Sequence, residues 1–147
     1  MTKTLLENIV MFLLILILVF FARQVMADTY IYTGAFSEHL FSSVPNETHN
    51  LLAVQHNGYI GGYFENSYGD DTAFAGVDYS AKLSHNIEIG VMAGATYGYR
   101  GCFPLDGEGS KRACPMVAPH ASYTKYPVQP TVILLGEAVA ASIRWEF

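Results

Sequence analysis

The sequence predicts an all-β fold: an eight-stranded, antiparallel, up-and-down transmembrane β-barrel preceded by a cleaved signal peptide. Three observations carry that prediction. A run of fourteen residues without charge or polar side chain, Ile9 to Ala22, follows a short basic start. Beyond it, apolar and polar residues alternate with period two, the mark of half-buried strands. The chain ends on Phe147, with aliphatic and aromatic residues at every second position before it. Alternation over about ten residues with aromatics at the ends is the signature of a membrane-crossing β-strand.

The apolar run is short for a permanent membrane helix, which needs roughly 20 residues. Lys3 upstream and Val25-Met26-Ala27 downstream complete the plan of an export signal. Residues 1–27 are therefore expected to be removed and 28–147 to form the barrel; an uncleaved anchor is the alternative. Hydrophobic residues make up 51% of the chain and charged ones only 14%, against about 25% charged in ordinary soluble domains. That balance excludes a disordered chain or a coiled coil. After Ala27 there are six basic and twelve acidic residues, and no basic cluster exceeds Lys111-Arg112. Nothing there neutralises a phosphate backbone, so nucleic acid is not an expected partner.

The strands follow in order. Residues 29–38 open the barrel, and 50–57 and 59–67 flank Asn57-Gly58, a two-residue hairpin signal. Residues 72–83 and 86–100 are joined by the short Ser84-His85 turn. The second of these is the clearest strand, with Ile87, Ile89, Val91, Ala93, Ala95, Tyr97 and Tyr99 on one face. Its other face carries Glu88, Gly90, Met92, Gly94, Thr96 and Gly98. Residues 116–124 and 128–135 flank Lys125-Tyr126-Pro127, and 138–147 close the sheet. The remaining connections, 39–49, 68–71, 101–115 and Gly136-Glu137, fall at the opposite rim. Short turns at one rim and longer loops at the other describe an outer-membrane barrel with its loops facing outward from the cell.

Cys102 and Cys114 bracket the third outer loop, and in an exported chain such a pair reads as a disulfide. The outer rim also collects His39, Asn66, Ser67 and Arg100. A His beside a Ser there suggests acyl transfer, the imidazole serving as base to the hydroxyl. Gly90, Gly94 and Gly98 share the inward face with Gly76 of the preceding strand. They leave either a slot for a linear ligand such as an acyl chain, or room for bent, tightly packed strands. Asp78 faces inward by the same parity. Pro119, Pro127 and Pro130 remove ladder hydrogen bonds around one hairpin and weaken the pairing of the sixth and seventh strands.

Four stretches together resemble the lipid A palmitoyltransferases, the PagP-type outer-membrane barrels. Phe64-Glu65-Asn66-Ser67-Tyr68 is similar to that family's Phe-x-Asp-Ser-Trp element. Gly90-Val91-Met92-Ala93-Gly94-Ala95-Thr96 looks like its Gly-x-x-Ala-Gly-x-Thr strand. Pro119-His120-Ala121-Ser122 with Pro127-Val128 keeps its proline spacing, and Ile143-Arg144-Trp145-Glu146-Phe147 its ending. The resemblance implies catalysis at His39, Ser67 and Asn66, the last standing where the family has Asp. An Asn can orient a neighbour but holds no charge. The resemblance further implies substrate contacts at Gly76, Asp78, Gly90, Gly94 and Arg100, and a polar or shortened pocket floor at Asp78. It implies a phospholipid donor, a lipid A acceptor and a lateral access for lipid at the proline seam. It implies no metal or organic cofactor. Delivery by the outer-membrane insertion machinery and a monomeric state are expected with it. The rival expectation is a non-enzymatic barrel that binds or masks something through its disulfide-tied loop. A soluble periplasmic barrel holding a lipid is a third.

Overall fold

The computed structural model describes residues 28–102 and 109–147. The expected leader, residues 1–27, lies outside them. Among the described residues the chain forms eight strands: β1 (Thr29–His39), β2 (Leu52–His56), β3 (Tyr59–Glu65), β4 (Asp71–Ser84), β5 (Ile87–Tyr99), β6 (Arg112–Tyr123), β7 (Val128–Leu135) and β8 (Ala138–Glu146). Each pairs antiparallel with the next, and β1 pairs with β8, so the sheet closes on itself. Closure matters because hydrocarbon offers no partner to a free sheet edge.

The side-chain alternation runs inside out relative to a soluble protein. Leu52, Val54, Ile89, Val91, Val117, Val132, Leu134 and Ile143 are exposed on the outer wall. Tyr59, Tyr123, Tyr126, Trp145 and Phe147 are exposed near the end with the short turns, the place of an interfacial aromatic girdle. Inside lie Gln55, Asp78, Glu88, His120, Gln129, Thr131, Ser142 and Arg144, all buried. An apolar outer band this extensive is covered by lipid, not by water.

Two departures from simple alternation position the upper barrel. In β1 the pairing with β8 slips between Thr33 and Ala35, at Gly34, whose φ is +58°. Before this bulge Tyr30 and Tyr32 point inward; after it Ser37 does, so the inward phase moves from even to odd positions. The second departure concerns the first outer connection. Residues 46–51 run beside β1 and β3 without being part of a regular strand. His49 N–H donates to Ala35 O (2.8 Å), and Glu65 N–H donates to His49 O (3.1 Å). This segment carries the wall upward past the short β2.

The third outer connection is shorter than the sequence suggests. Arg112 to Pro115 belong to β6, paired with Tyr99, Tyr97, Thr96 and Ala95 of β5. Cys102 and Cys114 form the expected disulfide, twelve residues apart. The expected weak seam is present too: β6 and β7 pair only at His120–Ile133, Ala121–Val132 and Ser122–Thr131. Pro115 and Pro119 lie on the part of β6 beyond that ladder and have no N–H to extend it.

The interior is filled in layers. Nearest the short turns, Arg144 donates to Glu88 (2.7 Å) and Gln129 (2.6 Å). Above it Tyr32 donates to Gln55 (2.8 Å), and His120 Nε2 meets Asp78 Oδ1 at 2.8 Å. Higher still, Phe64 packs edge-on against Phe74 and beside Tyr99.

Candidate functional site at the outer mouth

Above the aromatic layer, β1 and the turn between β3 and β4 bring two expected residues together. Ser67 Oγ and His39 Nε2 share a hydrogen bond of 3.1 Å. The serine is buried and the histidine half-buried. His39 reaches this position because the Gly34 bulge turns the end of β1 inward. Its other ring nitrogen, Nδ1, is buried without a hydrogen-bond partner.

The side chain of Asn66 makes its hydrogen bonds away from His39. Its side chain, wholly buried, builds the turn that carries Ser67. Its Oδ1 accepts from the backbone N–H groups of Tyr68 (2.9 Å) and Asp70 (3.1 Å). Its amide nitrogen donates to Thr72 Oγ1 (3.0 Å) and reaches Gly98 O at 3.5 Å. Expected as an orienting or polarising partner of the His–Ser pair, Asn66 makes its hydrogen bonds to the turn that carries Ser67. The chemistry also explains the residue type: a carboxylate has no proton to give to Gly98 O.

Arg100 lies at the rim, and its guanidinium grips Asp70 with two hydrogen bonds, at 2.8 and 3.1 Å. Lys111 adds a third cation–carboxylate contact at 3.6 Å. The turn after β3 is thereby clasped to both ends of the disulfide-tied loop. Arg100 hydrogen-bonding holds the Asp70 carboxyl below its ordinary range, and Asp70 in turn raises the guanidinium.

The glycines answer the alternative left open by the sequence. A Cβ on Gly94 would fall 2.1 Å from Ala75 O, and one on Gly76 2.3 Å from Ala93 O. These two residues face each other across β4 and β5, where the backbones come too close for any side chain. A Cβ on Gly90 would meet His120 Nε2 at 2.4 Å, so its space is taken by that imidazole. Among the described residues these positions serve close packing, not an acyl slot. Asp78, inward as expected, faces His120 deep in the barrel and stands apart from the outer mouth.

Two mouth residues escaped the sequence reading. His49 Nε2 lies 2.5 Å from Ser37 Oγ, and His49 Nδ1 lies 2.7 Å from Glu65 O. Both side chains are buried. Nothing in their spacing announces the contact, since Ser37 faces inward only because of the bulge and His49 lies in an irregular segment. A run of His49 with Asn46 and Asn50 in a loop looks like solvated polarity.

Comparison with solved structures bears on the fold. The chain aligns with the solution NMR structure of the de novo designed protein TMB2.3 over 82% of its own length and 94% of the design, with a TM-score of 0.53 and 13% identity. The fold is that of an eight-stranded outer-membrane-type barrel. Ail, the attachment invasion locus protein of Yersinia pestis, crystallised with the heparin analogue sucrose octasulfate, also aligns. It covers 82% of this chain and 97% of Ail, at a TM-score of 0.36 and 12% identity. No family model matches the sequence, and no curated protein does. The comparisons bring no acyltransferase to stand beside the resemblance drawn from the motifs.

Proposed function

We propose that the chain is a monomeric barrel of the Gram-negative outer membrane, delivered by a leader and the insertion machinery. In this reading its outer mouth moves an acyl chain from a phospholipid to lipid A. The single observation behind it is the Ser67–His39 hydrogen bond at the outer mouth. Ser67 Oγ attacks the ester carbonyl, and its proton passes to His39 Nε2. The carbon–oxygen ester bond breaks, and the leaving lysophospholipid oxygen takes that proton. A hydroxyl of the lipid A disaccharide then attacks the acyl-serine carbonyl and gives its proton to His39; the acyl–Oγ bond breaks, and Ser67 Oγ takes that proton back. Phe64, Phe74 and Tyr99 fill the barrel beneath the pair, so the acyl tail stays in the leaflet while its ester reaches the mouth.

Expression in cells lacking their own palmitoyltransferase, followed by mass spectrometry of lipid A, tests this. An added acyl chain that disappears with Ser67→Ala is the expected result. No added chain, or one that survives Ser67→Ala, overturns it.

A second reading has its own observation: the disulfide together with Arg100, Asp70 and Lys111 ties both ends of the third outer loop to the rim. A loop anchored at both ends suits binding or masking at the cell surface. It predicts loss of function on deleting residues 103–108 and no effect of Ser67→Ala.

A further inference from the structure

The outer mouth holds a second serine–histidine pair that the acyl-transfer reading does not use. Ser37 lies two residues before His39 on β1, one inward position deeper, a step of about 7 Å along a strand. The protonation of its partner follows from the contacts. Glu65 O can only accept, so His49 Nδ1 carries the ring hydrogen and donates to it (2.7 Å). In the neutral ring Nε2 then bears a lone pair, and it faces Ser37 Oγ at 2.5 Å. The imidazole is held further by backbone bonds on both sides of His49 and by the edge of Phe64, 6.3 Å between ring centres at 84°. Nucleophile, base and a third group that fixes the base stand in the order an activated serine needs. The Ser67–His39 pair has no such third group, since His39 Nδ1 is without a partner.

We infer that Ser37 is a nucleophile activated by His49, forming a site for small acyl esters or their phosphoryl mimics distinct from the one at Ser67. In the step, Ser37 Oγ bonds to the electrophilic centre while its proton moves to His49 Nε2. The leaving group departs with the bonding electron pair and collects that proton. With a fluorophosphate the bond broken is P–F, and hydrogen fluoride is the product alongside the phosphorylated serine.

The test uses the whole barrel folded in detergent and diisopropyl fluorophosphate as probe, with the adduct mapped by peptide mass spectrometry. The modification is expected on the peptide containing Ser37, and it should persist in Ser67→Ala. His49→Gln should slow it by about 100-fold or more, the scale of a lost general base. Slow electrophoretic heat-modifiability and far-ultraviolet circular dichroism confirm that each variant is folded. Because the adduct is mapped in the unmutated chain, a variant that fails to fold does not remove the test. Modification confined to Ser67, or absent from every serine, overturns the inference and leaves the pair as a fastening for residues 46–51. Loss of lipid A acylation in Ser67→Ala with Ser37 still labelled separates this site from the proposed function.

Discussion

The guanidinium of Arg144 lies 4.2 Å from the ring centre of Tyr30, inside the barrel near the short turns. From there it also donates to Glu88 and Gln129, and Gln129 passes the connection on to Glu146 at 2.6 Å. Arg144 is fully buried, so its charge depends on these partners. Replacing it with Leu leaves the Glu88 carboxylate enclosed and unpaired. The loss expected is about 3–5 kcal/mol, the cost of breaking a buried ion pair from one side. Urea unfolding in lipid vesicles measures it. Arg144→Leu with Glu88→Leu should recover most of the deficit, because the pair as a whole is worth much less than its orphaned half.

Asn66 leads to a result that runs against the sequence resemblance. If the family's Asp were the better residue, Asn66→Asp would improve the site. In this fold it should do the reverse. The carboxylate could still accept from the Thr72 hydroxyl, but it has no hydrogen for Gly98 O and would face that carbonyl across 3.5 Å. A loss of about 1–3 kcal/mol is expected for leaving that buried acceptor unsatisfied. Ser67, carried by the same turn, would lose its register with His39. Unfolding midpoints, together with hydrogen exchange of the Tyr68 and Asp70 amides, check both parts.

The contrast between Asn66 and His49 marks what a sequence can and cannot declare here. Strand number, order and most inward positions were legible because lipid outside and side chains inside impose a period of two. Asn57-Gly58 placed one hairpin through its turn chemistry, and Asn57 indeed has φ +51°. The disulfide was legible from its loop. The start of β6 was not, because Arg112 to Pro115 combine charge, cysteine and proline without a strand pattern. Ser67 and His39 were legible as a candidate pair from topology. The Ser37–His49 contact was not, because it depends on a bulge and on an irregular segment running as wall. The resemblance makes Asn66 an orienting or polarising partner of the pair, and the turn its hydrogen bonds build shows only in the folded chain. The glycines left two meanings open, and only the cross-strand distances separated them.

The Asp70–Arg100 clasp should respond to acid in a defined direction. Arg100 lowers the Asp70 pKa, so the charged pair contributes fully above the ordinary carboxylate value of about 3.9. Its contribution falls away as pH drops through the lower value Asp70 has in the folded barrel. Above that window the clasp should be indifferent to pH. An NMR titration of the Asp70 carboxyl carbon should give a midpoint below that of a free aspartate. Arg100→Gln should move the midpoint upward, with Lys111 supplying the remaining depression. Raised salt should shrink the difference, because the pair lies at a solvent-facing rim.

The bulge at Gly34 decides which way the mouth residues of β1 face. Nothing lies within 4 Å of a Cβ built there, yet its φ of +58° suits glycine. Gly34→Ala should therefore keep the phase and cost about 1–2 kcal/mol for the left-handed backbone alone. Deleting Gly34 is a different perturbation. Gly34 is the unpaired extra residue between Thr33–Ile143 and Ala35–Ser142, so without it alternation from Tyr30 and Tyr32 runs on through Ala35, and Ser37 and His39 keep their inward face. Both serine–histidine contacts of the mouth should survive, while the pairing of β1 with β8 re-forms without its slip. A spin label dissolved in the lipid phase checks the phase in both variants. It should leave the His39 ring signals sharp in both, whereas broadened signals in the deletion variant would show that the upper half of β1 changes face instead of closing over the missing residue.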